Sequence, residues 1–450
     1  MLCDLPNEAI AIIASFCQPA DLCALSRSCK LLYSHASPAL YRHIVVKNGT
    51  AEYIMCDLGR VMFETDDGER HPLEEPRLRE LLRQTRSLDI SLHWYEPDFW
   101  QTRRIIDVIN DMVNLRHMSL IYIEEEEYMN GHDLPLPSVL AETLTTCTVG
   151  FKDWANWSIW KATCLFKHPS LRQLELHWAA SAVNDAVVDV GCGSTRLESL
   201  ALIDCLITPD DLYQVLRYPR ALQYLTLATD FNDKDMYDDE QVNCADYFSA
   251  IRRASGKSLQ GLRFDVTHWG NIIVPAPGMH ELRDVLYLEV APDHIEVDKR
   301  VLNFQNPIPD IDCPLEQLLP PNLEVLKITP AASDLPTLWS ILDRKSEIVP
   351  HLRKIILTLH YRNRVMKKEL IAALRERDDY ENDPELFEPD EEDLEKIYPC
   401  ARKRVLRAFR GCCEKQGVEL MLLHEDSKRR EVFEEGAGPS VWEIDDQGRR

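Results

Sequence analysis

The chain has 450 residues, a formal net charge of -24 and 45% apolar residues. Length predicts two or three domains or one long repeat array, and no run approaches the ~18 to 20 apolar residues that span a bilayer. The acidity argues against a general nucleic-acid binder, because phosphate backbones are held mainly by clustered Lys and Arg.

The fourteen cysteines carry no C-x-x-C spacing, and no His pair at metal spacing stands beside them. They read as reduced thiols of an intracellular protein, many buried as small apolar residues. No cofactor and no metal are expected.

The first predicted element is "LPNEAIAIIASF", residues 5 to 16. The residues before it carry Asp4 and no basic charge, so an export signal is not expected. Pro6 suits a first helical position and Glu8 the first turn, where its charge meets the helix dipole. Ile10, Ile13 and Cys17 make one apolar stripe. Gln18-Pro19 ends this helix and opens a second, whose stripe is Leu22, Leu25, Cys29 and Leu32. Ser37-Pro38 predicts the start of a third short helix carrying Leu40, Tyr41 and Ile44. Three helices in about 45 residues bury too little surface to stand alone, so they need the rest of the chain or a partner.

Residues 5 to 44 resemble an F-box. The ordered pieces are Leu5-Pro6-Asn7-Glu8, Pro19-Ala20-Asp21-Leu22, Cys29-Lys30 and Leu40-Tyr41-Arg42. Ala9, Ala14 and Cys17 stand where the family commonly has larger apolar residues, and Leu32 and Tyr41 replace tryptophans. The resemblance implies docking to the Skp-type adaptor of Skp–cullin–F-box ubiquitin ligases, and through it to cullin. By that analogy Leu5, Pro6, Ile10, Ile13, Leu22 and Leu25 are the adaptor-binding candidates. The competing reading is that these residues form only an internal core.

The expected domain plan is an F-box at 1–45, an acidic irregular connector at 46–84, a repeat array at 85–424 and a mobile charged tail at 425–450. The array is read from a recurring L-x-x-L-x-L pattern: "SLRQLELHW", "RLESLALIDC", "ALQYLTLATD", "SLQGLRFDVT" and "NLEVLKITPA". The last two apolar residues of each unit alternate along a strand and point to one core. One such unit cannot bury its face, but stacked units can. "TPDDLYQVLRYP" and "LPTLWSILDRK" read as returning helices. "VELMLLHE", 418 to 425, reads as the last strand. The fold class is therefore α/β: a small three-helix F-box followed by an irregular leucine-rich-repeat-like (LRR-like) solenoid of parallel strands. An ordinary α/β domain with leucine-rich strands is the alternative. Acidic insertions at 229–241 and 377–396 lengthen the repeat spacing and read as solvated loops.

In such an array the strand positions between the core leucines face a partner surface. They include Gln173, Glu175, His177, Ser199, Ala201, Tyr224, Thr226, Arg263, Asp265, Lys327 and Thr329. This mixed-charge surface suits a protein substrate. Trp154, Trp157 and Trp160 fall at spacings of three and read as helical core. There is no phosphate-loop, nucleophile-elbow or zinc-protease motif.

The resemblance makes the chain a substrate-recognition subunit of a ubiquitin ligase, with no catalytic residue of its own. Two alternatives stay open: a non-degradative interaction protein that binds the adaptor without joining cullin, and an enzyme with an unrecognised site. The compartment is read as cytoplasm or nucleus, and neither nucleic acid nor membrane is expected as a partner.

Overall fold

The computed structural model describes residues 5–47, 75–94, 108–124, 141–152, 157–181, 193–228, 241–266, 271–273, 277–291, 294–295, 314–329, 335–359, 409–425 and 431–433. These fall into two compact units, Met1–Leu222 and Gln223–Arg450.

The first unit opens with α1 (Asn7–Phe16), α2 (Pro19–Ser28) and α3 (Lys30–Leu40). Pro6 sits one place earlier than expected, as the N-cap, and its carbonyl accepts from the Ala9 and Ile10 amides at 3.0 and 3.1 Å. Pro19 takes the first turn of α2, behind an extended Gln18. The break between the last two helices differs from the sequence expectation. It falls at Cys29, whose backbone is extended and whose Sγ accepts from the Leu32 amide at 3.5 Å. Helix α3 then runs through Pro38 in its last turn, and Ile44 belongs to a strand. A proline so near the helix end removes only one amide donor, so Ser37-Pro38 does not have to mark a start. Ala14, Leu22 and Ala36 form the small core of the three helices, with Cys17, Leu25, Ala39 and Leu40 packed against it.

Two residues after α3 the chain enters β1 (His43–Lys47). It is followed by α4 (Glu75–Leu82), β2 (Ser87–Trp94), β3 (His117–Glu124), β4 (Thr146–Lys152), α5 (Thr163–Phe166), β5 (Gln173–His177), β6 (Ser199–Ile203) and α6 (Pro209–Leu216). Strands β1 to β6 pair in chain order, all parallel. The sheet thus begins at residue 43, directly after the helices, and α4 lies inside the segment expected as an irregular connector.

Alternation decides which side is core. Leu174 and Leu176 are buried, as are Leu200 and Leu202, Met118 and Leu120, and Cys147 and Val149. Each turn is bolted to the next by one carbonyl that accepts two amides. Arg42 O takes Arg86 N (2.9 Å) and Ser87 N (3.1 Å), and Arg86 O takes Arg116 N (2.8 Å) and His117 N (3.0 Å).

Cys205, two residues past β6, donates its S–H across to the Leu176 carbonyl at 3.3 Å. It fills the Asn/Cys place of the repeat pattern, and burial pushes its thiol pKa up to about 12. Thr208 caps α6 as its sequence predicts, accepting from the Asp211 amide at 3.2 Å.

Trp157 and Trp160 are buried core residues, but Trp157 lies outside any helix, just before the isolated bridge between Ser158 and Ala180. Its Nε1 donates to the His177 carbonyl at 3.2 Å, and its ring meets Phe151 edge-on at 5.3 Å. Trp154 lies outside the described residues.

The second unit holds β7 (Tyr224–Ala228), β8 (Gln241–Asn243), α7 (Cys244–Ser255), β9 (Gly261–Asp265), β10 (Asn271–Ile273), β11 (Tyr287–Val290), α8 (Leu315–Leu318), β12 (Val325–Ile328), α9 (Leu335–Asp343), α10 (Lys345–Ile348), β13 (Lys354–Leu359), β14 (Glu419–Glu425) and β15 (Glu431–Phe433). Six of these strands are again parallel, in the order β7-β9-β11-β12-β13-β14. Strands β8 and β10 pair separately. Within the tail expected from residue 425, β15 turns back and pairs antiparallel with β14. Helix α7 is capped by Asn243 Oδ1 and buries Phe248 against Phe264 of β9, ring centroids 4.8 Å apart. Residues 229–240 and 377–396, the acidic insertions, lie outside the described residues. Each unit presents six parallel strands in solenoid order, an LRR-like arrangement.

Candidate functional site

Helix α1 is apolar nearly all round its circumference, so one side is left over once its core face is satisfied. Ile10 and Ala14 turn inward, each 3% exposed. Ile12 and Phe16, one helical turn apart, stand 60% and 83% exposed. Leu5 and Ile13 are exposed beside them, and so is Pro6. Of the six adaptor-binding candidates, the structure places Leu5, Pro6 and Ile13 at the surface and Leu25 half-buried. Ile10 and Leu22 are buried, Leu22 in the core of the helices.

Sequence reasoning missed Ile12 and Phe16. The helix reads NEAIAIIASF, and a run with apolar residues on every side gives periodicity no face to choose. The available signal was the size of Phe16, since small-residue cores such as Ala14 and Ala36 have no room for it.

The second candidate surface is the strand face opposite the core. In the first unit Gln173 is exposed, and Glu175 and His177 are half-buried. His177 Nε2 lies 2.7 Å from Glu175 Oε1, and its ring lies 5.2 Å from that of Trp178. Ser199 and Ala201 continue the same rows on β6.

In the second unit register aligns Thr226, Arg263, Glu289, Lys327, Ile356 and Met421 in one row. Thr226 and Arg263 are half-buried, as are Tyr224, Asp265 and Thr329 nearby. The row then closes. Glu289 is 5% exposed and Lys327 6%. Glu289 Oε1 lies 3.4 Å from both Arg263 Nε and Lys327 Nζ, and Tyr287 O–H donates to Glu289 Oε2 at 3.1 Å. Beyond it Ile356, Met421 and Leu423 form a buried apolar cluster, with Val325 against it. Lys327, expected as an open contact, is instead committed to a buried carboxylate.

Among the described residues, no group of three or more His, Cys, Asp or Glu is arranged to hold a metal ion. No described helix is long and apolar enough to cross a membrane.

Residues 2–47 match the F-box-like family. No curated protein matches the chain. Among solved structures, the leucine-rich repeat-containing protein LegL7 from Legionella pneumophila is similar at 12% identity and a TM-score of 0.37. That match covers 82% of this chain and 92% of that one.

Proposed function

We propose that this chain, an F-box-like domain followed by an LRR-like array, is the substrate-recognition subunit of a Skp–cullin–F-box ubiquitin ligase. The observation that carries the reading is the apolar surface of α1. Leu5, Ile12, Ile13 and Phe16 remain exposed on a domain that matches the F-box-like family. Exposed large apolar residues gathered on one helix mark a protein interface. The Skp-type adaptor is the partner that family implies, and cullin joins through the adaptor.

The array supplies the other end. A substrate held on the strand face, by residues such as Gln173, Glu175, Tyr224, Thr226 and Asp265, is kept at high effective concentration near a charged ubiquitin carrier. Positioning of this kind requires no catalytic group from the chain. The proposed setting is intracellular, in cytoplasm or nucleus.

Co-expression with a Skp-type adaptor and gel filtration tests this. The native chain is expected to co-elute with the adaptor, and a Leu5→Asp, Pro6→Ala double variant to elute alone. A folded native chain that never binds the adaptor sinks the proposal. Adaptor binding without cullin co-purification replaces it with a non-degradative role.

A further inference from the structure

The residue just before each strand of the first unit occupies one aligned row, fixed by the doubly accepting carbonyls. The row reads Arg42, Arg86, Arg116, Thr145, Arg172 and Glu198, each amide bonding the carbonyl before it at 2.8 to 2.9 Å. Arg172 is neutralised within the row by Glu198, 2.8 Å away. Among the described residues, Arg42, Arg86 and Arg116 have no ion-pair partner. Arg86 and Arg116 are exposed, while the Arg42 Nε is buried and makes no hydrogen bond.

His43 and His117 stand next to the first and third arginine, and His117 Nδ1 lies 2.7 Å from Thr146 Oγ1. Mutual repulsion is felt. Arg42 first, then burial, then Arg116 hold the Arg86 guanidinium below its ordinary pKa. Burial, then Arg42, His117 and Arg86, lower that of His43. Apart from Glu198, the described carboxylates Asp89 and Glu175 stand three residues beyond the row position on their own strands. The corresponding row of the second unit reads Gln223, Gln260, Leu286, Glu324 and Arg353, so the cationic run belongs to the first unit alone.

A cationic row with no counter-charge among the described residues costs repulsion that a bound anion would relieve. We propose that the Arg42–Arg86–Arg116 row docks an acidic segment of a partner protein, a run of Asp or Glu side chains. Geometry favours carboxylates in series. Strands lie about 4.8 Å apart, so three guanidiniums span about 10 Å, while one face of an extended segment repeats every ~7 Å. Two or three carboxylates match that length, whereas a single phosphate is too compact to meet all three. Guanidinium forks bind carboxylates in two-point pairs. A long nucleic acid extends well beyond the row and meets the repulsive field of the acidic chain over its whole length, whereas a short acidic segment need meet only the row. The inference deepens the reading of the array as a partner surface, but its test does not require adaptor docking.

The test uses the full chain and a fluorescein-labelled Glu-Gly repeat peptide, read by anisotropy. Its Gln-Gly counterpart, inorganic phosphate and a single-stranded oligonucleotide serve as competitors. The Glu peptide is expected to bind and to weaken with salt. Arg86→Gln with Arg116→Gln should weaken it about tenfold, as loss of two charge-assisted contacts requires. Arg172→Gln, which removes an already paired arginine, should change little.

Absence of Glu-peptide binding overturns the inference, as does equal binding by the double variant. Displacement of the peptide by oligonucleotide or phosphate in preference to a second Glu peptide also overturns it. A native-like circular dichroism spectrum and thermal melt show that the double variant is folded. Adaptor co-elution separates the two ideas: a variant that keeps the adaptor and the peptide refutes only the arginine row. A chain that binds peptide but never adaptor refutes only the ligase role.

Discussion

Lys327 Nζ lies 3.4 Å from Glu289 Oε1 across adjacent parallel strands, and both side chains are 7% exposed. Two opposite charges so nearly withdrawn from water hold each other in place, with Arg263 Nε also 3.4 Å from the same oxygen. Deleting one member strands the other, a loss of about 3 to 5 kcal/mol for a fully buried pair. Lys327→Ala is expected to destabilise the second unit by about 3 kcal/mol. Urea unfolding followed by circular dichroism checks it. A midpoint shift no larger than that of an exposed control lysine such as Lys257 would show that the pair is incidental.

Gly150 tests the packing of the first unit's strand face. A Cβ there would meet His177 Cβ at 2.8 Å, Trp178 Cζ3 at 2.9 Å and Ile121 Cδ1 at 3.0 Å. Gly150→Ala is therefore expected to cost about 1 to 3 kcal/mol, the usual cost of overpacking. The change in near-ultraviolet circular dichroism should report movement of Trp178. An Ala variant as stable as the native chain would mean that this corner can relax freely.

The F-box-like helices should separate two kinds of loss. Phe16→Ala removes a side chain that is 83% exposed, so it should leave thermal stability unchanged while weakening adaptor binding. Leu22→Ala opens a cavity in the core of Ala14, Leu22 and Ala36, and should destabilise the domain by about 2 to 3 kcal/mol. Parallel thermal melts and adaptor titrations read both. If Phe16→Ala lowers stability and spares the adaptor, the interface lies elsewhere.

His294 makes stability depend on pH. Burial lowers its pKa to about 3, with the ring against Phe264, centroids 4.9 Å apart, and Nδ1 without a hydrogen bond. Between that value and the ordinary 6.5, the folded chain keeps His294 neutral while the unfolded chain protonates it. Stability then falls as pH drops through 6.5 towards 3, by up to about 1.4 kcal/mol per unit from this residue. Comparing His294→Gln with the native chain in urea at several pH values isolates the effect. Parallel pH profiles for the two would remove His294 as the cause.

Much of this molecule is local physics written into neighbouring residues. Alternation in "LRQLELHW" and "LESLALI" gave the buried faces of β5 and β6, and Thr208-Pro209 gave the start of α6, because each depends on residues a few places apart. The three helices were legible for the same reason. Their second boundary was not, since Pro38 is tolerated in a last turn and the extended backbone of Cys29 carries no sequence marker. What only tertiary structure decided depends on register between distant strands. It left Ile12 and Phe16 outside the core that Leu22 closes with Ala14 and Ala36. It buried Lys327 on the face that alternation had assigned to it, by bringing Glu289 alongside. It also aligned Arg42, Arg86 and Arg116, which stand at unequal intervals along the chain. Backbone hydrogen bonds from turn to turn set that alignment, whatever the length of chain between the strands.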